Sequence, residues 1–213
     1  MKSLLRTAMI TGLLSCLLVT GQAQDWPQFL GTNRDGKVTG FIAPAAWPAT
    51  LKQGWKVTVG LADASPALFN NKLYLFTNQS GSEVLQCLDA ATGKHIWHYQ
   101  TVHHDIWDYD LPAPPNLIKL SREGKEIDAV AQLSKQGFVY ILDRETGKPV
   151  FPIEEHPVPS SNLPGEKSWP TQPFPTTPKP YARQLITEND LTNYSPADHD
   201  AILKKFRSLR YEG

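Results

Sequence analysis

A stretch in the middle of the chain concentrates the side chains that could do chemistry. Residues 97–116 hold three of the six His, three Asp, two Trp and two Tyr, beside three Pro. Carboxylates and imidazoles exchange protons, and flat rings stack on flat ligands. In a loop stiffened by proline, this set favours a flat, polar, redox-active ligand. The alternative is structural, because Asp and His at the corners of β-sheets also tie loops to strands.

The composition indicates what must position this stretch. Eighteen Pro and fourteen Gly, with 10% aromatic residues, favour short strands and many turns. We therefore expect an all-β fold. Basic and acidic residues are equal in number at 21 each, so the sequence has no excess of positive charge of the kind that binds nucleic acid.

The first 23 residues resemble a secretory signal peptide. Lys2 and Arg6 precede an apolar run of about a dozen residues, and small residues lead to a cut after Ala23. This predicts a periplasmic or secreted protein; a lipoprotein anchored through Cys16 is the alternative. After cleavage only Cys87 remains, so no intramolecular disulfide can form.

Two segments, residues 88–97 and 142–151, repeat one another. Five positions are identical at fixed offsets, including Asp-x-x-Thr-Gly, and an aromatic residue closes each copy. The Asp can bond the backbone of a tight turn, the Gly permits positive φ, and the aromatic residue can dock on the next unit. An apolar strand precedes each copy, which indicates repeated four-stranded units.

The remaining elements follow from period and turn residues. Alternation predicts a half-buried strand over 54–60, a hairpin over 67–77 with an Asn-Asn turn, and a strand over 83–88. Residues 25–48 are predicted to be an arm that lies across the body, and its aromatic rings must pack on something. Residues 152–180 hold nine prolines, which predicts an extended excursion without regular structure, ordered by Phe151, Trp169, Phe174 and Tyr181. An N-cap Ser followed by Pro predicts one helix from 196 to about 210.

These features divide the chain into a signal peptide (1–23) and one partial propeller (24–213). The propeller comprises an N-terminal repeat part (24–97), a site-bearing part (98–151), the proline-rich excursion (152–181) and a helix-containing end (182–213).

The string His-His-Asp-Ile-Trp-Asp-Tyr-Asp-Leu-Pro at 103–112 resembles a signature of quinoprotein dehydrogenases of the glucose dehydrogenase type, which use pyrroloquinoline quinone. The similarity continues through 132–137, the second Asp-x-x-Thr-Gly turn, 170–174 and 210–213. It covers about residues 95–213. The resemblance implies an eight-bladed β-propeller in the periplasm, with the quinone near its axis and calcium or magnesium beside it.

The resemblance also implies an activity and the residues that perform it. A sugar or alcohol would be oxidised, and a quinone or dye would accept the electrons. Asp108 matches the general base, Lys135 matches the lysine that contacts the quinone's ortho-carbonyls, and Trp107 and His104 are further candidates to contact the cofactor. A carboxylate among apolar rings can have its pKa raised toward working pH, and an ammonium stabilises charge on a reduced quinone. The alternatives are a turn-tying Asp108 and a solvated, strand-end Lys135.

The first part of the chain departs from this pattern. Residues 25–98 look more like secreted propellers with quinone-enzyme-like repeats but no known cofactor, relatives of an outer-membrane assembly scaffold. The two parts meet within 91–97, as a deletion or fusion between repeats would produce. At about 45 residues per blade, we expect three to four blades and an unclosed ring, without the family's cation ligands.

Two alternative functions follow: a non-enzymatic scaffold that binds another envelope protein, and a truncated gene product. A metal hydrolase built on His103, His104 and Asp105 is disfavoured, because adjacent strand residues point to opposite faces.

Overall fold

The computed structural model describes residues 24–211. These contain nine β-strands, one short 3-10 helix and one α-helix. The predicted signal peptide and Cys16 lie outside the described residues. Within residues 24–211, no helix has the length and apolar character needed to cross a membrane.

The first sheet is a four-stranded antiparallel meander, the arrangement of one propeller blade. Its strands are β1 (Ala67–Phe69), β2 (Lys72–Gln79), β3 (Ser82–Asp89) and β4 (His95–Val102), in that spatial order. Asn70 and Asn71 join β1 to β2 with φ of 48° and 59°, as a tight two-residue turn requires. The predicted hairpin over 67–77 and the strand over 83–88 are confirmed.

The second sheet has three antiparallel strands, β5 (Asn116–Arg122), β6 (Lys125–Leu133) and β7 (Val139–Asp143). A single bridge between Leu142 and Pro149 adds a short fourth edge. Buried residues of the first and second sheets form one cluster: Ala67, Tyr74, Leu85, Cys87, Trp97, Val130 and Leu142. Cys87 is a free thiol within it.

The two repeats adopt the same turn. Asp89 Oδ1 accepts from the backbone N–H and the hydroxyl of Thr92, and Asp143 accepts in the same way from Thr146, all at 2.7–2.8 Å. The Trp97 ring covers Gly147 so closely that a Cβ there would lie 2.6 Å from it, and Trp97 Nε1 donates to the carbonyl of Arg144. The predicted docking of the closing aromatic on the next unit is confirmed for this copy.

Residues 54–60 do not form the predicted strand. They are exposed except for partly buried Trp55 and Val59. A strand needs a neighbouring strand for its backbone groups. Within the described residues, the nearest strand-like pairing is a single β-bridge between Leu61, just after the segment, and Asn78. The carbonyl of Val59 accepts hydrogen bonds from the side-chain amides of Gln79 and Gln86 instead of from a neighbouring strand. Alternation alone was therefore misleading.

The N-terminal arm is only partly as predicted. Trp26 bridges to Leu68 of β1, which fixes the start of the arm on the first sheet. Phe29, Phe41 and Trp47 remain 58–63% exposed, and Phe41 stacks on Trp47 rather than on the body. Two of the arm's rings therefore pack on each other, and these three rings stay largely exposed.

The proline-rich segment also differs from the prediction. It contains β8 (Ile153–Pro157), paired with β9 (Thr171–Pro175) in a two-stranded sheet. A two-stranded sheet has only edge strands, where a residue without an N–H can face away from the ladder. Trp169 and Tyr181 are more than half exposed. Phe174 packs on Phe138, and their ring centroids are 4.8 Å apart.

The helix α1 (Pro196–Arg207) is confirmed, although it ends three residues before the predicted end. Ser195 caps it by accepting from the N–H of Asp198, and Lys204, Lys205 and Arg207 occupy its last turn. Across residues 24–211 the three sheets remain separate. The fold is a partial, unclosed β-propeller with one C-terminal helix, as predicted.

Candidate functional site

The loop between β4 and β5 carries the candidate site, and Asp105 organises it. The backbone N–H of Asp105 donates to the carbonyl of Gly81 at 2.8 Å. Its carboxylate accepts from the backbone N–H groups of Trp107 (2.9 Å) and Tyr109 (2.7 Å). Such Asp-to-backbone bonds are a standard way to shape a turn. The turn-tying role considered for Asp108 therefore belongs to Asp105.

Two non-glycine residues of the loop have left-handed backbone conformations. His104 has φ of 41° and Asp108 has φ of 65°. Asp and His tolerate this region better than most residues, but it remains uncommon outside glycine. The bonds made by Asp105 span Asp108 and hold the chain in this conformation, so the carboxylate of Asp108 is set in a defined direction.

Asp108 points to Lys135. Lys135 Nζ lies 2.8 Å from Asp108 Oδ2 and 2.6 Å from Asp110 Oδ1. The backbone N–H of Lys135 also donates to the carbonyl of Asp110 at 3.2 Å. Lys135 follows β6, so two loops from different strand ends meet here. Lys135 is exposed just after β6, and two carboxylates hold its ammonium.

The electrostatics of this cluster differ from the prediction. The Lys135 ammonium, followed by a hydrogen bond with Asp110, holds the pKa of Asp108 below its usual range. The two carboxylates raise the pKa of Lys135, Asp108 first. The expectation of a raised Asp108 pKa was wrong, since 80% of that side chain is exposed and an ammonium faces it.

Trp107 lies in a different environment. Its ring stacks on Tyr109 with centroids 5.4 Å apart and planes 22° apart. Both rings line a cleft of about 500 Å³ with residues 157–163, and neither Asp108 nor Lys135 is in its wall. The structure thus separates Trp107 from the ion-pair cluster, and the predicted aromatic surround of Asp108 is not observed.

The adjacent histidines are directed to different neighbours. His103 Nε2 lies 3.0 Å from Glu155 Oε1, and its ring contacts Trp169. His104 is exposed beside Gly81. Among the described residues, no group of three or more His, Cys, Asp or Glu is arranged to hold a metal ion. The structure therefore offers no grouping for the alternative metal site on this pair.

Sequence reasoning missed Glu83. It is 3% exposed, and its Oε2 has no hydrogen-bond partner within residues 24–211, whereas Oε1 accepts from the amide of Asn78. It shares a cavity of about 370 Å³ with Asp110. Burial, followed by the charges of nearby Asp105, Asp110 and Asp108, raises its pKa. Glu83 lies in β3, 25 positions before Asp108, and a single polar residue in a strand gives no sequence signal.

Comparison with known proteins is decisive for the family. The model of the β-propeller domain of glucose, ethanol and alcohol dehydrogenases that use pyrroloquinoline quinone matches residues 51–213. The chain belongs to this quinoprotein family. The match begins well before residue 95, where the resemblance seen in the sequence starts.

Curated relatives in this family are much longer. The chain is 36% identical over 172 residues to a probable quinate dehydrogenase (quinone) of Xanthomonas campestris pv. juglandis, covering 80% of the chain and 21% of the relative. It is 34% identical over 171 residues to the quinoprotein glucose dehydrogenase of Escherichia coli K12, with the same coverage. The chain thus spans about a fifth of the length of these quinoproteins.

Solved structures of quinoproteins also match. The quinohemoprotein alcohol dehydrogenase from Comamonas testosteroni aligns with 53% of this chain and 19% of its own, at 26% identity and a TM-score of 0.38.

Proposed function

We propose that this chain carries the base and quinone-contacting part of a quinoprotein dehydrogenase site, which oxidises a sugar or alcohol CH–OH group with pyrroloquinoline quinone. The observation that carries the proposal is the Asp108–Lys135–Asp110 cluster. It joins the two residues to which the family resemblance gives chemical roles, 27 positions apart, within ion-pair distance. The curated relatives carry dehydrogenase names, which supports the reaction class.

The residues present fit the quinone. An ammonium has three donors, and Lys135 uses two of them on Asp108 and Asp110. Its side chain is 41% exposed, so a carbonyl oxygen can reach the third donor. When bound, the quinone supplies the acceptor for the hydride. The ligands of the family's divalent cation are not grouped within the described residues, and no step here depends on that cation.

The roles of the protein groups follow from their charges. The lowered pKa leaves the Asp108 carboxylate ionised and able to accept the proton of a substrate hydroxyl, but it also makes this carboxylate a weaker base than one whose pKa lies near the working pH. Lys135 holds that carboxylate in place and presents positive charge to the oxygen that gains electron density. Asp110 balances the ammonium and fixes its direction. The exposure of Asp108 leaves room for a substrate to approach.

Location and electron acceptor are part of the proposal. The N-terminal sequence supports export to the periplasm or beyond, with a quinone or dye as the final acceptor. His104 and Trp107 remain predicted cofactor contacts. None of the relatives reported above is a scaffold protein, so the envelope-scaffold alternative has no support from them.

Reconstitution tests the proposal. The purified chain would be incubated with pyrroloquinoline quinone and calcium or magnesium, and dye reduction followed with glucose, quinate or ethanol. We expect activity that falls at least 100-fold in Asp108→Asn and Lys135→Ala, since both act on the reacting groups.

Lys119→Ala is the matched control, because Lys119 is also an exposed lysine near a carboxylate but lies in β5, away from the loop. Quinone binding would be measured separately by fluorescence quenching. If Lys135→Ala binds the quinone with the same affinity as the wild type, the proposed contact is contradicted. Activity unchanged in Asp108→Asn would contradict the proposed base.

A further inference from the structure

The hairpin formed by β8 and β9 binds the first residue of the loop between β4 and β5, which carries the candidate site. Gln172 in β9 is 1% exposed. Its Oε1 accepts from the backbone N–H of His103 at 2.8 Å, and its Nε2 donates to the carbonyl of the same residue at 2.6 Å. A single side chain therefore satisfies both backbone groups of His103, as a residue of a paired antiparallel strand would do.

Two further contacts fix the same place. The buried hydroxyl of Tyr140 lies 3.1 Å from the carbonyl of Thr101 and 3.0 Å from that of Pro173, so it bridges the end of β4 and β9. The ring of His103 contacts both the Glu155 carboxylate and the Trp169 ring. Tyr140 of β7 and the hairpin thus hold residues 101–103 together, through backbone and side-chain contacts.

The held residue is close in sequence to the proposed base. Five positions separate His103 from Asp108, and the chain between them is fixed by the bonds that Asp105 makes to Gly81, Trp107 and Tyr109. Such a short, bonded segment transmits a displacement at its start to its end. The direction of the Asp108 carboxylate therefore depends on a contact 69 positions away from His103.

We propose that Gln172 is a positioning residue for the Asp108–Lys135 pair, acting through its two hydrogen bonds to the backbone of His103. Its role in catalysis rests on the proposed dehydrogenase function, but its role in ordering the loop does not. The hairpin formed by β8 and β9 is then a clamp that sets the geometry of the site.

Hydrogen exchange tests the clamp without any ligand. Backbone exchange of a peptide spanning 103–109 would be measured by mass spectrometry in wild type and in Gln172→Met, which keeps length but removes both bonds. We expect exchange to speed up by roughly tenfold or more in this peptide, because two buried hydrogen bonds are lost. Gln86→Met is the matched control, since Gln86 is equally buried but bonds only within the first sheet and to Val59.

A second variant separates geometry from general damage. Gln172→Glu keeps an acceptor for the His103 N–H but loses the donor to its carbonyl until the introduced carboxyl is protonated. We expect faster exchange than wild type at pH 8 and a return toward wild type when compared at pH 5, after correction for intrinsic rates. Equal exchange in wild type and Gln172→Met overturns the proposal. An equal rise in Gln86→Met overturns it too, because the effect would then be general.

Activity is an independent readout. If the reconstituted chain is active, Gln172→Met should lower kcat by about 10- to 100-fold with little change in KM, as expected for a misplaced base. A chain that never reduces dye but shows the exchange effect would refute the proposed function and leave the clamp standing. A higher KM with an unchanged kcat would contradict positioning of the base.

Discussion

The docking of Trp97 on Gly147 gives a sharp prediction about what joins the two main sheets. Gly147 has φ of 71°, and a Cβ there would lie 2.6 Å from the indole ring. Gly124 has nearly the same φ, 73°, but a Cβ there would meet nothing within 4 Å. Replacing each by Ala therefore applies the same backbone strain, with and without a steric clash.

The magnitudes follow from these contacts. A left-handed conformation costs an ordinary residue about 1–2 kcal/mol, which is the whole effect expected for Gly124→Ala. In Gly147→Ala the ring must also move, at about 1–3 kcal/mol for overpacking, and its bond to the Arg144 carbonyl is weakened. We expect Gly147→Ala to be the less stable by about 2–3 kcal/mol.

Urea unfolding followed by tryptophan fluorescence and circular dichroism would measure the difference. With a slope of about 2 kcal/mol per molar, the midpoint of Gly147→Ala should lie about 1 M below that of Gly124→Ala. Equal midpoints would refute the reasoning, because they would show that the indole ring does not couple the two repeats.

Three further predictions concern single groups. Glu83→Gln should be more stable than wild type at pH 7. The pKa of Glu83 is raised in the folded chain, so wild-type stability is lost as pH rises from the unfolded pKa through the folded pKa, whereas an amide at this position does not titrate. The urea midpoints of the two proteins should converge near pH 4, and an equal difference at both pH values would contradict this. Lys135→Met should raise the pKa of Asp108, measured by carbon NMR of its carboxyl group, because the ammonium that lowers it is gone; an unchanged titration would show that the pair does not form in solution. Ser195→Ala should lower the stability of α1 by about 1 kcal/mol through loss of the cap to Asp198, detectable as faster amide exchange at the helix start.

Local patterns in the sequence predicted local structure well. The Asp-x-x-Thr-Gly turns, the Asn-Asn hairpin and the capped helix each depend on bonds between residues only a few positions apart in the chain. Those bonds form wherever the sequence places the right donors and acceptors. The strand over 54–60 failed because alternation describes a surface but supplies no partner.

The sequence named Asp108 and Lys135 of the cluster, but it did not name Asp110 or distinguish the contacts of the three Asp residues in the string. Three Asp residues in one string look alike in sequence, yet Asp105 ties the loop, Asp110 balances Lys135, and Asp108 is exposed beside the ammonium. Nothing in the local sequence assigns these differences. They depend on which side of the loop faces the turn after β6.

The sequence by itself determined the repeat, the turn geometry and the string that identifies the quinoprotein family, because each is carried by neighbouring residues. Only the tertiary structure decided that Asp108 is exposed with a lowered pKa, that Glu83 is buried beside Asp110, and that Gln172 holds His103. The physical reason is distance along the chain. Burial and charge pairing between strands dozens of residues apart arise only when the sheets pack, and packing sets both the solvent exposure and the partner of each carboxylate.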